Sequence, residues 1–129
     1  MIYTASTHGV KVSVKTRFET LLSDPSKSNN IFTYYVVIEN VGTSTVQLLE
    51  RHWKIVDSLN PVREVKGIGV IGEQPVIEPG GVHEYESWCN LHSDIGKMWG
   101  SYLFKSLDTE SSFRVQIPEF YMVHPAVLN

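Results

Sequence analysis

The chain has 129 residues, of which 42% are hydrophobic and 19% are charged, a composition typical of a folded globular domain and unlike that of a disordered segment. Eleven basic and fourteen acidic residues give a formal net charge of −3, so the chain has no overall positive field for nucleic acid or an anionic membrane surface. The length predicts one domain over residues 1–129, and the single cysteine, Cys89, excludes an intrachain disulfide.

The N-terminal segment carries no targeting pattern. Residues 1–9 lack both the basic start and the apolar core of a signal peptide. No apolar run approaches the roughly 20 residues that cross a bilayer. We therefore expect a cytoplasmic protein with no membrane insertion and no nucleic-acid partner.

Two-residue periodicity dominates the chain. Residues 10–18 alternate apolar and polar side chains, which predicts a half-buried strand. A polar loop over 23–30 follows, and residues 31–39 are apolar on both faces, which predicts a central strand. After a short turn at 40–44, further strands are predicted over 45–56, 62–67, 82–88, 99–107 and 113–123.

This spacing of strands predicts the fold class. Seven or more short strands, with turn signals about every ten residues and no helical period, are typical of an all-β sandwich or barrel. We favour the sandwich, because Trp53 falls on the third strand, where such domains commonly pack a tryptophan in the centre of the core.

The stretch Gly67-Ile68-Gly69-Val70-Ile71-Gly72 matches the glycine fingerprint of a phosphate-binding turn. That fingerprint needs a following helix, whereas Pro75, Pro79 and the pair Gly80-Gly81 predict turns. Two interpretations stay open. The glycines allow positive φ angles in a connection between strands, or they present N–H groups to an anionic small molecule such as pyrophosphate or a nucleotide.

Arg51 is the charged residue best placed to assist such a site. It precedes Trp53 by two residues and therefore shares its strand face. From there it could act as counter-charge to an anion bound by Gly67, Gly69 and Gly72. The alternative is an ion pair with a carboxylate at the rim of the sandwich.

Candidate groups for catalysis or metal binding are scattered. We interpret Cys89, near His92, as a small buried hydrophobic residue, and no nucleophile elbow is present, so we predict neither an enzyme nor a cofactor. Divalent-metal binding is a further hypothesis. Its candidate ligands, which lack diagnostic spacing, are His83, Glu84, Glu86, His92 and Asp94.

An ordered set of residues between about Val10 and Phe120 resembles the ApaG family. The resemblance is carried by Asn40, Gly42, residues 46–49, Arg51, Trp53, Val65, Gly67, residues 69–72, Gln74, Pro75, Pro79, Gly80, Tyr85, Ser87, Gly96, Met98, Gly100, Tyr102, Phe113, Ile117, Pro118 and Phe120. It implies an immunoglobulin-like or fibronectin type III-like β-sandwich. It also implies an association with cobalt resistance and magnesium efflux, and a protein-binding role where the domain is built into larger eukaryotic chains. Trp88 departs from the pattern, which more often has a small residue after the serine.

The preferred functional hypothesis is a non-enzymatic protein-binding module with an unidentified protein partner. On this hypothesis the cobalt and magnesium association is indirect. The alternatives are a small-ligand module that binds pyrophosphate or a nucleotide at the glycine connection, and direct binding of a divalent metal.

Overall fold

The computed structural model describes residues 1–58 and 60–128, and most of them lie in strands. The strands are β1 (Tyr3–Thr7), β2 (Val10–Phe18), β3 (Asn30–Asn40), β4 (Val46–Asp57), β5 (Arg63–Ile68), β6 (Val76–Ile77), β7 (Val82–Leu91), β8 (Ile95–Ser106) and β9 (Ser112–Val123). Short 3-10 helices cover Pro25–Lys27 and Pro125–Leu128. Within the described residues, no helix is both long enough and apolar enough to cross a membrane.

The strands form two antiparallel sheets. The first has the order β1-β2-β3-β7, and the second has the order β5-β4-β8-β9 with β6 paired to β4. Side chains from the facing sides of the two sheets make a single hydrophobic core. The predicted all-β sandwich of seven or more antiparallel strands is therefore confirmed.

Most predicted strands are found close to their predicted bounds. Strand β2 covers residues 10–18 as predicted, and β3 lies between β2 and β7, as expected of a central strand. Strand β8 begins four residues earlier than predicted, because glycines interrupt its apolar pattern. A Cβ atom on Gly100 would lie 2.0 Å from the carbonyl oxygen of His52, so close packing of β8 on β4 requires glycine there.

Two short strands were not predicted. Strand β1 consists mainly of small and polar residues, and its pairing with β2 places it in the sheet. Strand β6 has only two residues, which pair with Val46 and Gln47 of β4. Pairing to a longer neighbour, rather than local sequence, sets both strands.

Trp53 occupies the centre of the core, as predicted. It is 2% exposed, and its ring lies 5.4 Å from the ring centroid of Tyr34 on the opposite sheet. Its edge also meets Phe120 and Tyr102, at 5.9 and 6.3 Å. These tilted and edge-on contacts are the geometries that aromatic rings favour.

The two long sides of the sandwich differ. On one side β9 packs against β1 and β2, and the N–H of Gln116 donates to the hydroxyl of Thr7 at 3.1 Å. On the other side lie β5 and β7, the opposite edge strands of the two sheets, which make no comparable contact with each other in the described part of the chain. We call these the closed side (β9 against β1 and β2) and the open side (β5 and β7).

A polar link crosses the core near the open side. The hydroxyls of Tyr85 on β7 and Tyr102 on β8 are buried and hydrogen-bonded to each other. Burial raises the pKa of both hydroxyls, so both stay neutral at physiological pH. The bond satisfies two polar groups that would otherwise be buried without partners.

Removing one hydroxyl of this pair should therefore lower the free energy of unfolding more than removing both. We expect Tyr102→Phe to lower the free energy of unfolding by about 1–3 kcal/mol, because the Tyr85 hydroxyl loses its partner. The double variant Tyr85→Phe/Tyr102→Phe should lose less, as judged by urea denaturation. A double variant destabilised by the sum of the two single effects would contradict this assignment.

Candidate functional site

The open side forms a cleft of about 280 Å³ between the two sheets. Its walls come from β4 and β5 on one sheet and from β3 and β7 on the other. We call it the open-side cleft. Its principal lining residues are Arg51, Trp53, Arg63, Val65, Ser87 and Trp88.

Strand alternation and register place these side chains. In the register of β4 and β5, Arg51 lies opposite Gly67, Trp53 opposite Val65, and Ile55 opposite Arg63. Gly67 and Arg63 are four residues apart along β5, which is about 13 Å in an extended strand. The cleft therefore has an arginine at each end and an apolar middle.

Arg51 holds the glycine connection. Its Nη1 donates to the carbonyl oxygens of Ile68 and Gly69, at 3.0 Å each. The guanidinium lies directly over Gly67, where an added Cβ atom would be 2.7 Å from the guanidinium carbon. Glycine at position 67 thus makes room for the arginine, and Arg51 contacts the connection through two carbonyl oxygens, while its role as counter-charge to an anion stays a prediction.

Arg63 spans the open side and was not predicted as a site residue. Its Nη2 donates to the carbonyl oxygen of Asn90 at 2.5 Å, and its Nη1 lies 3.3 Å from the side-chain oxygen of the same residue. Nη2 also lies 3.7 Å from the sulfur of Cys89. Cys89 is buried, as the sequence interpretation expected, and burial raises the pKa of its thiol.

Within the described residues, neither arginine has an acidic partner. Among the described residues, no carboxylate lies within 4.0 Å of Arg51 or Arg63, whereas Arg17 pairs with Glu19 at 2.6 Å. The lining of the cleft contains no aspartate or glutamate. Two half-buried positive charges without compensation favour an anionic group in this cleft.

Trp88 forms the rim of the cleft on β7. Its side chain is 65% exposed, although it is among the largest in the chain. An exposed tryptophan beside a free sheet edge is typical of a contact surface. The sequence signal for it was the alternation of large and charged side chains over residues 82–88. That alternation does not show which face of the strand packs against the core.

The glycine connection uses its own N–H groups. Gly69 has a φ of 64°, and its N–H donates to the carbonyl of Leu49 at 2.8 Å. Val70 and Glu73 bond each other through their backbone groups, at 2.8 and 3.0 Å. Gly72 has a φ of 73°, and the next elements after it are the strands β6 and β7 rather than a helix. This arrangement favours the structural interpretation of the glycines over the phosphate-binding one.

The metal-ligand candidates on β7 point to different neighbours. His83 lies with its Nε2 3.9 Å from a carboxylate oxygen of Glu73. Glu84 accepts a hydrogen bond of 2.5 Å from the Tyr35 hydroxyl, and Glu86, like Glu84, is exposed. Strand alternation therefore separates His83 from Glu84 and Glu86, as the period of two predicts.

The remaining candidates lie in the turn after β7. The backbone N–H of His92 donates to the buried carboxylate of Asp57 at 2.7 Å, and its ring Nδ1 lies 3.1 Å from the carbonyl oxygen of Ser28. The carbonyl of Asp94 accepts from the N–H of His124. Within residues 1–58 and 60–128, no three histidine, cysteine or acidic side chains gather as a group that could hold a metal ion.

The fold and the site define a small all-β sandwich domain with a basic, aromatic cleft along one open side. A family model described as the ApaG domain matches residues 21–106. Protein ApaG of Thiobacillus denitrificans is 43% identical over 120 residues, covering 93% of this chain and 94% of its own length. The chain belongs to the ApaG family.

Two further comparisons agree. Protein ApaG of Methylobacterium radiotolerans is 43% identical over 126 residues, covering 98% of this chain and 96% of the relative. The crystal structure of a Bordetella pertussis protein designated ApaA superposes with a TM-score of 0.87 at 38% identity, covering 95% of this chain and 98% of that one. The family resemblance inferred from the sequence is confirmed.

Gly69 and Gly72 provide a matched test of the glycine connection. Both have positive φ angles, but a Cβ atom at Gly69 would lie 2.1 Å from the carbonyl oxygen of Glu73, whereas at Gly72 it would meet nothing within 4 Å. We expect Gly69→Ala to cost about 1–3 kcal/mol more than Gly72→Ala in thermal unfolding, because only Gly69→Ala adds a clash to the backbone strain. Equal losses would refute the structural role of Gly69.

Proposed function

We propose that this ApaG-family chain is a non-enzymatic, cytoplasmic protein-binding module that receives a protein partner along its open side. The observation that supports this most directly is the free edge of β7 beside a cleft with two arginines, neither of which has a carboxylate within 4.0 Å in the described part of the chain. An edge strand offers unpaired backbone N–H and C=O groups to another extended chain.

The free edge of β7 has the length and composition for such an addition. It extends over ten residues, Val82–Leu91, and contains no proline that would interrupt pairing. Its exposed Glu84 and Glu86 are charges of the kind that limit indiscriminate pairing between sheet edges. Trp88 adds an aromatic anchor next to the same edge.

The environment of the thiol supports a role without catalysis. Nucleophilic catalysis by cysteine requires a thiolate. Burial raises the pKa of Cys89, and its sulfur faces the inside of the sandwich next to Arg63. The thiol is thus held in its protonated, unreactive form at neutral pH.

We propose that the association with cobalt resistance and magnesium efflux, which the family resemblance implies, acts through the partner rather than through a metal bound by this chain. His83 points away from Glu84 and Glu86, and His92 and Asp94 use backbone groups to hold the turn after β7. These positions suit structural and surface roles.

Affinity capture with two matched aromatic variants tests the proposed function. Trp88→Ala removes an exposed ring at the open side, and Tyr121→Ala removes one, 47% exposed, on β9 at the closed side. We expect the immobilised wild-type chain and Tyr121→Ala to retain the same partner from a cytoplasmic extract, and Trp88→Ala to lose most of it. Equal retention by both variants, or no partner at any salt concentration, would contradict the proposal.

A further inference from the structure

The spacing of the two arginines along the cleft matches the repeat of an extended peptide. Arg51 lies at the level of Gly67 and Arg63 four residues further along the same strand, about 13 Å away. In an extended chain, side chains i, i+2 and i+4 point to the same face and span the same length. A peptide beside β7 can therefore direct three alternate side chains into the cleft.

The chemistry of the cleft assigns a class to each of these side chains. Between the two arginines lies Val65, which is 40% exposed, beside the buried Trp53, and this apolar part of the wall accepts an apolar side chain. The arginines have no carboxylate within 4.0 Å among the described residues. Each guanidinium can therefore bind an acidic side chain of the peptide.

Both guanidinium groups retain donors for such a carboxylate. All side-chain hydrogen bonds of Arg51 come from Nη1, so its Nη2 and Nε are free within the described part of the chain. Arg63 uses Nη1 and Nη2 on Asn90 and Cys89, which leaves its Nε. A charge-assisted bond to a carboxylate is stronger than a bond to a neutral carbonyl. Arg63 can exchange its contact with the Asn90 carbonyl for the peptide carboxylate, and that carbonyl then becomes available to a peptide N–H.

We infer that the open-side cleft recognises an extended peptide segment with the pattern acidic, any residue, apolar, any residue, acidic, an inference that rests on the proposed protein-binding function. The first and fifth side chains bind Arg51 and Arg63, in either order, and the third packs on Val65. Trp88 covers the segment from the rim. The peptide backbone lies along the free edge of β7.

Fluorescence anisotropy with labelled synthetic peptides tests this inference. The probe carries Glu-Thr-Val-Thr-Glu between flanking glycines, and the controls are Glu-Glu-Val-Thr-Thr, with the same composition, and Gln-Thr-Val-Thr-Gln. We expect the probe to bind at least about tenfold more tightly than either control, and its affinity to fall with added salt. Equal affinity for the two acidic peptides would show a non-specific anion site and would overturn the inference.

Arginine variants of the chain locate the binding site. Arg63→Gln should weaken binding of the probe at least about tenfold, whereas Arg114→Gln, on the exposed outer face of the second sheet, should change it less than about twofold. Val65→Asp is a second variant at a position that is already 40% exposed, and its new carboxylate should compete for both arginines and weaken binding similarly. Equal effects of Arg63→Gln and Arg114→Gln, or full binding by Val65→Asp, would overturn the inference.

Three other outcomes can be distinguished. If no peptide binds at ~1 mM while Trp88→Ala still loses the captured partner, the peptide pattern is wrong and the proposed function stands. If the free chain sediments as a dimer that Arg63→Gln dissociates, the cleft belongs to a second copy of the chain and the inference is overturned. If the probe binds with the expected specificity but capture is insensitive to Trp88→Ala, the proposed function fails and the cleft chemistry stands.

Discussion

The difference between the two long sides of the sandwich is the constraint on which the rest of this structure depends. Two twisted sheets bury a shared core, and β9 closes one side by packing on β1 and β2. On the other side the described strands β5 and β7 do not pack on each other as β9 packs on β1, so long side chains cover the core there. Arg51 and Arg63 provide that cover, while Trp88 lies exposed at the rim, and we propose that their polar and aromatic groups bind another molecule.

The glycine connection is best understood as part of that arrangement. Arg51 faces inward, where an arginine is costly unless its charge is hydrogen-bonded. Gly67 leaves room for the guanidinium, and the turn at Gly69 brings two carbonyl oxygens within 3.0 Å of Nη1. The glycines thus allow a charged group to lie at the edge of an aromatic core, and the connection contributes to the proposed binding surface through Arg51.

The sequence was sufficient to predict the strands with a strong side-chain pattern, such as β2 and β3, and the buried position of Trp53. It was insufficient for β1 and β6, whose residues carry little apolar pattern and are placed by their partners. The site was found in part. The sequence placed Arg51 beside the glycine connection, but it did not show that the arginine donates hydrogen bonds to carbonyl oxygens of that connection. Arg63 and Trp88 were missed, because a period of two assigns a face to each side chain but does not reveal which sheet edges lie next to each other.

The central claim is that the open side, and not the closed side, receives the partner. Hydrogen–deuterium exchange of the chain with and without its captured partner tests this most directly, since amides of a free edge exchange readily until another strand pairs with them. The account predicts new protection in β7 and β5, with β1 and β9 unchanged. Protection confined to β1 and β9, with β7 exchanging as in the free chain, would contradict it.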